Sequence, residues 1–144
     1  MTSDAELKQL DLIDLLSERH NLVRRIAEKA WNDNSEIYIS NSEWYIMARI
    51  YKKRPTISYV TKNVDISRQA IHKFIKKLFA KGLVDVQNLE NNKKEKCIQL
   101  TALGEECYEE NATLKAQIED KIAENIGVEQ VTLLKDILKQ DWGL

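Results

Sequence analysis

The sequence is short of proline, glycine and cysteine, and each shortage excludes a class of protein. One proline and four glycines in 144 residues are too few for a flexible linker, a collagen-like repeat or a loop-dominated all-β fold. The two cysteines, Cys97 and Cys107, form no CxxC pair and have no His/Cys cluster beside them, so we expect neither a structural disulfide nor a zinc site. These shortages favour one mainly helical domain.

Long apolar runs and catalytic motifs are also missing. No run approaches the roughly 20 apolar residues of a membrane span, and residues 1–10 lack a basic stretch followed by a hydrophobic one. The two histidines, His20 and His72, fit no nucleophile or metal constellation, and the sequence has no glycine-rich phosphate loop. We therefore expect a cytoplasmic protein that is not an enzyme, holds no cofactor or metal, and does not bind a membrane.

Charge is distributed unevenly along the chain, although the formal net charge is only −1. Residues 1–51 hold six Lys/Arg and nine Asp/Glu, residues 52–100 hold twelve and four, and residues 101–144 hold four and ten. The middle segment therefore carries a net +8 between acidic flanks of −3 and −6. A basic surface of this kind suits a polyanion, although a solvated lysine-rich face would have the same composition.

The middle segment also contains well-marked helix boundaries. Ser40 and Glu43 form a capping box before a helix of about 42–52, and Thr56 can cap a short helix that ends near residue 63. Ser67 is the N-cap of the next helix, and Gly82 supplies the left-handed residue after its end. The runs LVDV and KCIQL then flank the polar segment QNLENNKKE, which predicts a β-hairpin with an exposed tip.

The helix between Ser67 and Gly82 has two chemically different faces. Its apolar residues follow the spacing i, i+3, i+4, i+7, i+8 and predict a core-facing side made of Ile71, Phe74, Ile75, Leu78 and Phe79. The opposite side carries glutamine, histidine and lysine with no acidic residue, whereas a purely solvated helix would usually include glutamates.

Long helical patterns occupy both ends of the chain. Residues 4–31 form a helix-compatible run with a broad apolar face, and apolar residues from Leu103 to Ile126 form a narrow stripe that precedes a last helix beyond Gly127. A narrow stripe suits contact with one or two other helices better than burial inside a globule. We therefore expect the terminal helices to form a homodimer, the alternative being that they fold back on their own domain.

Three helices, the third with a basic face, followed by a hairpin with a lysine-bearing tip, are the order of a winged helix-turn-helix. The predicted fold is mainly α with a small β-hairpin wing, in one domain over 1–144: residues 36–100 form the DNA-binding lobe, and residues 1–35 and 101–144 form the dimerisation helices. Arg68 and Gln69 suit base edges of double-stranded DNA, His72 suits bases or phosphates, and the lysines suit phosphates. The predicted DNA contacts are Thr56, Ser58, Ser67, Arg68, Gln69, His72, Lys73, Lys76, Lys77, Lys93 and Lys94, although Thr56 and Ser67 are equally explained as N-caps.

These motifs resemble those of the multiple-antibiotic-resistance regulator (MarR) family of bacterial winged-helix repressors and activators, over nearly the whole chain. The segment ISNSEWYIM resembles the family's second-helix opening, ISRQAIHKFIKKLFAKGLV its recognition helix and exit, and IQLTALGEE its LT-x-x-G transition from wing to fifth helix. The resemblance implies a homodimeric transcription regulator, which we expect to be a repressor, on a pseudo-palindromic operator with half-sites about one DNA turn apart.

The resemblance also implies control by a small aromatic or anionic ligand that lodges between the dimer helices and the DNA-binding lobe. Trp31, Tyr38, Trp44 and Tyr45 are our candidates for that crevice, although each aromatic alone is better explained as ordinary core.

The wing departs from the family pattern. Asn92, Lys93 and Lys94 stand where wings of the family commonly carry Asp-Arg-Arg, and lysine lacks the planar fork that suits a narrow minor groove. We therefore expect weaker readout by the wing, with sequence discrimination shifted onto the recognition helix.

Two alternatives remain open. The lysine face could dock an acidic protein partner, in which case the chain is a winged-helix interaction module with no duplex preference. The same fold could also serve as a thiol-based redox sensor, for which Cys97, beside Lys96, has a local positive charge, while Cys107 fits an apolar stripe.

Overall fold

The amino-terminal arm consists of two helices. The computed structural model describes residues 3–89 and 92–144, with the backbone alone for 92–94. Helix α1 spans Asp4–Leu7 and helix α2 spans Leu12–Asn34. The expected single run over 4–31 is wrong at residues 8–11, because Asp11 is extended and its side chain accepts a hydrogen bond from Asp14 N at 2.9 Å, which starts a new helix.

The helices of the lobe begin at the predicted caps. Ser40 Oγ accepts from Glu43 N at 3.3 Å and a Glu43 carboxylate oxygen accepts from Ser40 N at 3.1 Å, which confirms the capping box. Thr56 and Ser67 each accept from the backbone N–H three residues on, at 3.0 and 3.2 Å. Gly82 has φ +76°, as expected for the residue that ends a helix. The three helices are α3 (Asn41–Ile50), α4 (Ile57–Asn63) and α5 (Arg68–Ala80).

The wing is an antiparallel hairpin of β1 (Val84–Leu89) and β2 (Asn92–Leu100). The pairing is regular from Val84 opposite Leu100 to Asn88 opposite Lys96, and the register shifts at Leu89, which lies opposite Asn92. Most of the polar segment predicted as a tip is thus part of the strands. The backbones of Thr56 and Cys97 pair in a single antiparallel β-bridge, and Ile98 N donates to Pro55 O at 2.9 Å. The start of α4 is therefore joined to the wing.

The core of the lobe lies between α3, α5 and the wing. Of the predicted apolar face of α5, Ile71, Ile75 and Leu78 are buried and Phe74 is half-buried. The prediction is wrong for Phe79, which is 57% exposed because it lies at the edge of that face and borders an open groove between α5 and the wing. The other fully buried apolar members of the core are Ile39, Ile46, Met47, Ile50, Val60, Leu83, Val84 and Ile98.

The carboxyl-terminal arm consists of α6 (Ala102–Ile126) and α7 (Val128–Lys139), separated where Gly127 has φ +101°. Helix α6 packs against both α2 and α7. Several apolar side chains of the two arms remain more than half exposed in the single chain, namely Leu12, Ile13, Val128, Leu133 and Leu138. None of the helices in the described residues is long and apolar enough to cross a membrane.

Tyrosines join the lobe to the carboxyl-terminal arm. The rings of Tyr51, after α3, and Tyr108, on α6, lie with centroids 4.4 Å apart, and the Tyr51 hydroxyl donates to Glu109 Oε1 at 2.7 Å. That hydrogen bond, with burial and the negative charge of Glu109, raises the pKa of Tyr51 to about 12. The phenol therefore stays protonated and remains a donor across the joint at neutral pH.

Candidate nucleic-acid interface

Helix α5 presents an uncharged side to the core and a basic side to solvent. At 100° per residue, Gln69, Lys73 and Lys76 lie opposite the buried face, and all three are exposed. Arg68 and His72 lie on the flank nearer the wing and are exposed as well. Arg68 and Gln69 occupy the first turn of α5, which is the end of a recognition helix that reaches base edges. Arginine and glutamine are well suited to this position, because each can form two hydrogen bonds with one base.

An open groove of about 650 Å³ runs between α4, α5 and the wing. Its lining includes the apolar side chains of Ile75, Phe79 and Val86, and most of the charged residues at its rim are cationic. Among the described residues, Arg68, Lys76 and Lys96 are the cations of that rim, His72 is its imidazole, and Glu95 is its carboxylate. An apolar lining with a basic rim fits a sugar–phosphate strand, whose sugars are apolar and whose phosphates are anionic.

The hydroxyl groups of the predicted set divide into two roles. The oxygens of Thr56 and Ser67 accept backbone N–H bonds as N-caps, which leaves their O–H groups to donate to a phosphate oxygen. Ser58 is exposed and borders the groove together with Thr61, whose own hydroxyl donates to Ser58 O at 2.9 Å. The structure thus brings Ser58 to the basic rim.

Some predicted contacts lie away from the groove or outside the described residues. Lys77 is exposed on the other flank of α5, with its ammonium 5.8 Å from the ring centroid of Phe74. The side chains of Lys93 and Lys94 lie outside the described residues, so their role at the wing stays a prediction.

Lys96 and Thr61 border the same groove but were not predicted as contacts. The signal for Lys96 was available in the sequence, because it is a lysine within a strand of the proposed wing. Thr61 offered no such signal, since its position depends on how α4 packs against the wing.

The aromatic crevice predicted for a ligand is only partly assembled. Trp44 and Tyr45 border a cavity of about 80 Å³ between α2, α3 and α6, with Arg24, Asn111 and Lys115 also on its wall. Within the described residues, Trp44 Nε1 and Asn111 Oδ1 are buried without a hydrogen-bond partner. The rings of Trp31 and Trp44 pack edge to face, with their centroids 5.0 Å apart. Tyr38 does not border this cavity and lies beside Lys81. A ligand in this crevice stays a prediction.

Both cysteines are buried and free of disulfide bonds. Burial and the nearby carboxylates of Glu110 and Glu106 raise the pKa of the Cys107 thiol, which disfavours the reactive thiolate. Cys97 is buried in β2, which limits access of an oxidant to it. The described residues also contain no group of three or more His, Cys, Asp or Glu side chains that could hold a metal.

Comparison with known proteins gives a domain and a fold. Residues 39–104 match the family model described as winged helix DNA-binding domain. The HTH-type transcriptional regulator TcaR of Staphylococcus aureus (strain Newman) is 26% identical over 132 residues, which cover 90% of this chain and 87% of the relative.

Solved structures give the same fold over nearly the whole chain. A mutant MarR from E. coli complexed with operator DNA superposes with a TM-score of 0.75 at 19% identity, covering 95% of this chain and 97% of that one. FabT of Streptococcus pneumoniae in complex with DNA superposes with a TM-score of 0.71 at 20% identity, covering 88% and 90%. These matches confirm the predicted winged helix fold with long terminal helices.

Proposed function

We propose that this chain, a winged helix protein with the fold of the MarR regulators, is a bacterial, cytoplasmic, sequence-specific DNA-binding transcription regulator. The observation that carries the proposal is the outward face of α5, where glutamine, histidine and basic residues stand without a carboxylate from Arg68 to Ala80. A helix of this width fits a B-DNA major groove with its apolar face still packed on the lobe. The relative TcaR is named a transcriptional regulator, and MarR and FabT have been solved with DNA, which supports the proposal.

Binding of DNA by this face should depend steeply on salt. Lysines on α5 would neutralise phosphates, and each neutralised phosphate adds about 0.9 to the slope of log affinity against log salt concentration. We expect Lys76→Ala to weaken binding of every duplex similarly and to reduce that slope by about one for each protomer. Lys121→Ala, which removes an exposed lysine from α6, is the control and should leave the slope unchanged. Fluorescence anisotropy at several salt concentrations measures both quantities.

The same titration separates the proposal from the acidic-partner alternative. A regulator prefers one duplex, recovered by selection from a random pool, over a scrambled duplex of equal length. An interaction module that docks an acidic protein through its lysines shows no such preference, and that result would reject the proposed function.

We also propose that the chain acts as a homodimer, as a repressor on a pseudo-palindromic operator. The support for the homodimer is the apolar face of α7, where Leu133, Leu134, Ile137 and Leu138 are each at least two-fifths exposed in the single chain. Repression and a two-fold operator are carried over from the likeness to the MarR repressor. Exposed leucines in such number on one helix mark an interaction surface, and a second copy of the same helix provides a matching apolar face.

Leu134→Glu should convert the dimer to a monomer. The substitution places a carboxylate in the apolar face of α7, and burial of an unpaired charge in an interface is strongly unfavourable. The control is Thr132→Glu, which adds the same charge to the same helix about 200° round its axis from Leu134, at an exposed position. Light scattering should give about one chain mass, 16.8 kDa, for Leu134→Glu and twice that mass for the control. A dimeric Leu134→Glu variant would exclude α7 from the interface.

A further inference from the structure

A buried carboxylate ties the far end of α5 to the beginning of α3. Glu43 is only 2% exposed, and its Oε2 accepts from Lys81 Nζ at 2.6 Å. Its Oε1 accepts from both the backbone N and the hydroxyl of Ser40, at 3.1 and 3.0 Å. One carboxylate therefore contacts two helices. It completes the N-terminal cap of α3, and it binds Lys81, the residue that directly follows α5.

The ammonium of Lys81 is held on more than one side. It donates to Tyr38 O at 2.6 Å as well as to Glu43, and it lies 5.4 Å from the centroid of the Tyr38 ring. The backbone N–H of Lys81 also donates to Lys77 O, so the residue is continuous with the helix. An ion pair with a buried carboxylate and a second fixed acceptor has much less positional freedom than an exposed one.

The loop that carries Tyr38, one of the two acceptors of Lys81, is itself anchored to α2. Asn32 forms hydrogen bonds with both the N–H and the C=O of Ile39, at 3.1 and 3.3 Å, and Trp31 Nε1 donates to Ile37 O at 2.8 Å. The loop that carries Tyr38 is therefore fixed on the amino-terminal arm. This gives a chain of polar contacts from α2, through the loop, to the end of α5.

This attachment lies at the opposite end of α5 from Arg68 and Gln69, the two proposed base contacts. The 13 residues of α5 span about 20 Å at 1.5 Å per residue, so a tilt of about 5° around Lys81 moves Arg68 by roughly 1.7 Å. Hydrogen bonds to base edges have a window of only about 0.5 Å in length, whereas a phosphate contact by a flexible lysine adapts to such a shift. Loss of the attachment would therefore affect base readout more than phosphate contact.

We propose that the Glu43–Lys81 ion pair is a positioning device that fixes the tilt of α5 and thereby determines how well the protein discriminates between DNA sequences. The proposal rests on the proposed function, because it concerns the same recognition helix. In this proposal both residues act by positioning the recognition helix and not by contact with DNA.

The test compares Lys81→Met with Lys135→Met in the full-length chain. Both substitutions remove one ammonium and keep an apolar stem, but Lys135 pairs with Glu119 in a half-exposed bridge on the carboxyl-terminal arm. The preferred duplex is first selected from a random pool with the wild-type protein. Affinities are then measured for that duplex and for a scrambled one, over a range of salt and at a temperature where circular dichroism shows native helix.

We expect Lys81→Met to reduce the ratio of the two affinities by about tenfold relative to Lys135→Met, with an unchanged salt slope. Glu43→Gln, which keeps an oxygen for the Ser40 cap but loses the negative charge, should reduce the ratio in the same direction. A merely structural role would lower the melting temperature and leave the ratio within twofold of the control, and this result would overturn the proposal. An equal loss for both duplexes with a smaller salt slope would also overturn it, because Lys81 would then be a phosphate contact.

A failure of the proposed function gives a different result. If the wild-type protein itself selects no sequence, the regulator assignment and the positioning role both fall. If the wild-type protein selects a duplex and the two variants discriminate as well as the control, only the positioning role is rejected.

Discussion

Replacing Arg68 by alanine should lower the affinity for the preferred duplex by at least about 30-fold and relax the base preference at one position of each half-site. A bidentate contact to a base is worth about 1–3 kcal/mol of discrimination, and a homodimer loses two such contacts at once. The combined loss is about 2–6 kcal/mol, and every 1.4 kcal/mol is a tenfold change in affinity. Arg68 is the first residue of α5 and is exposed, so its removal leaves the core intact.

The scrambled duplex and a matched variant provide the controls for this experiment. The affinity for scrambled DNA should fall only by the loss of one positive charge per protomer. Arg49→Ala removes a guanidinium from α3, where it lies 3.0 Å from the Tyr45 hydroxyl, and should leave the base preference unchanged. Repeating the duplex selection with each variant shows which base position has relaxed. If Arg68→Ala selected the same sequence with the same stringency as wild type, α5 would not be the recognition helix.

Gln69→Ala extends the same experiment to the neighbouring base. Gln69 points opposite the buried face, and its amide can pair bidentately with adenine. Because glutamine is neutral, its loss should change base preference while leaving the salt slope as it was. The two variants together therefore separate the contribution of base contacts from that of charge.

Local signals made most of the lobe predictable from the sequence. Each of the caps, at Ser40, Thr56 and Ser67, depends on two residues that are three positions apart. Gly82 depends on its own backbone alone, because its φ is positive and glycine adopts such a φ without strain. Such signals need no knowledge of the remaining fold, which is why these helix boundaries agree with the structure. The polar face of α5 was predictable for the same reason, since helical periodicity alone defines it.

Features that depend on packing were harder to predict. Helical spacing placed Phe79 with Ile71 and Ile75, but the spacing does not reveal whether another element covers the edge of the face. The partner of Glu43 was also hidden, because Lys81 is 38 residues away and only the tertiary fold brings the two together. The wing was longer than expected because cross-strand pairing continues through polar residues when the register allows it.

Gly104 shows how a short motif can depend on such packing. It lies in the first turn of α6, and a Cβ added there would stand 2.1 Å from Leu83 O and 3.3 Å from Leu100 Cβ. The Leu83 carbonyl cannot move away freely, because it accepts from Thr101 N at 3.0 Å. The Thr101 side chain also donates to Gly82 O at 2.6 Å and accepts from Gly104 N at 3.0 Å. The base of the wing and the start of α6 are thus joined too closely for a side chain.

Gly104→Ala should therefore destabilise the protein, although alanine is the better helix former. The gain in helix propensity is about 1 kcal/mol, whereas overpacking against a hydrogen-bonded backbone costs about 1–3 kcal/mol and a 2.1 Å approach belongs at the upper end of that range. We expect a net loss of about 2 kcal/mol in the free energy of unfolding, measured by urea denaturation at fixed protein concentration because the proposed dimerisation would contribute.

The informative comparison is Gly82→Ala, where the added Cβ meets nothing within 4 Å and only the positive φ opposes the substitution. The left-handed conformation costs an alanine roughly 1–2 kcal/mol, so this variant should lose less stability than Gly104→Ala. If Gly104→Ala were instead as stable as wild type, α6 would be able to move away from the wing without loss of stability. The wing and the carboxyl-terminal arm would then be loosely coupled, and a displacement of the arms would not be transmitted through this contact to the DNA-binding lobe.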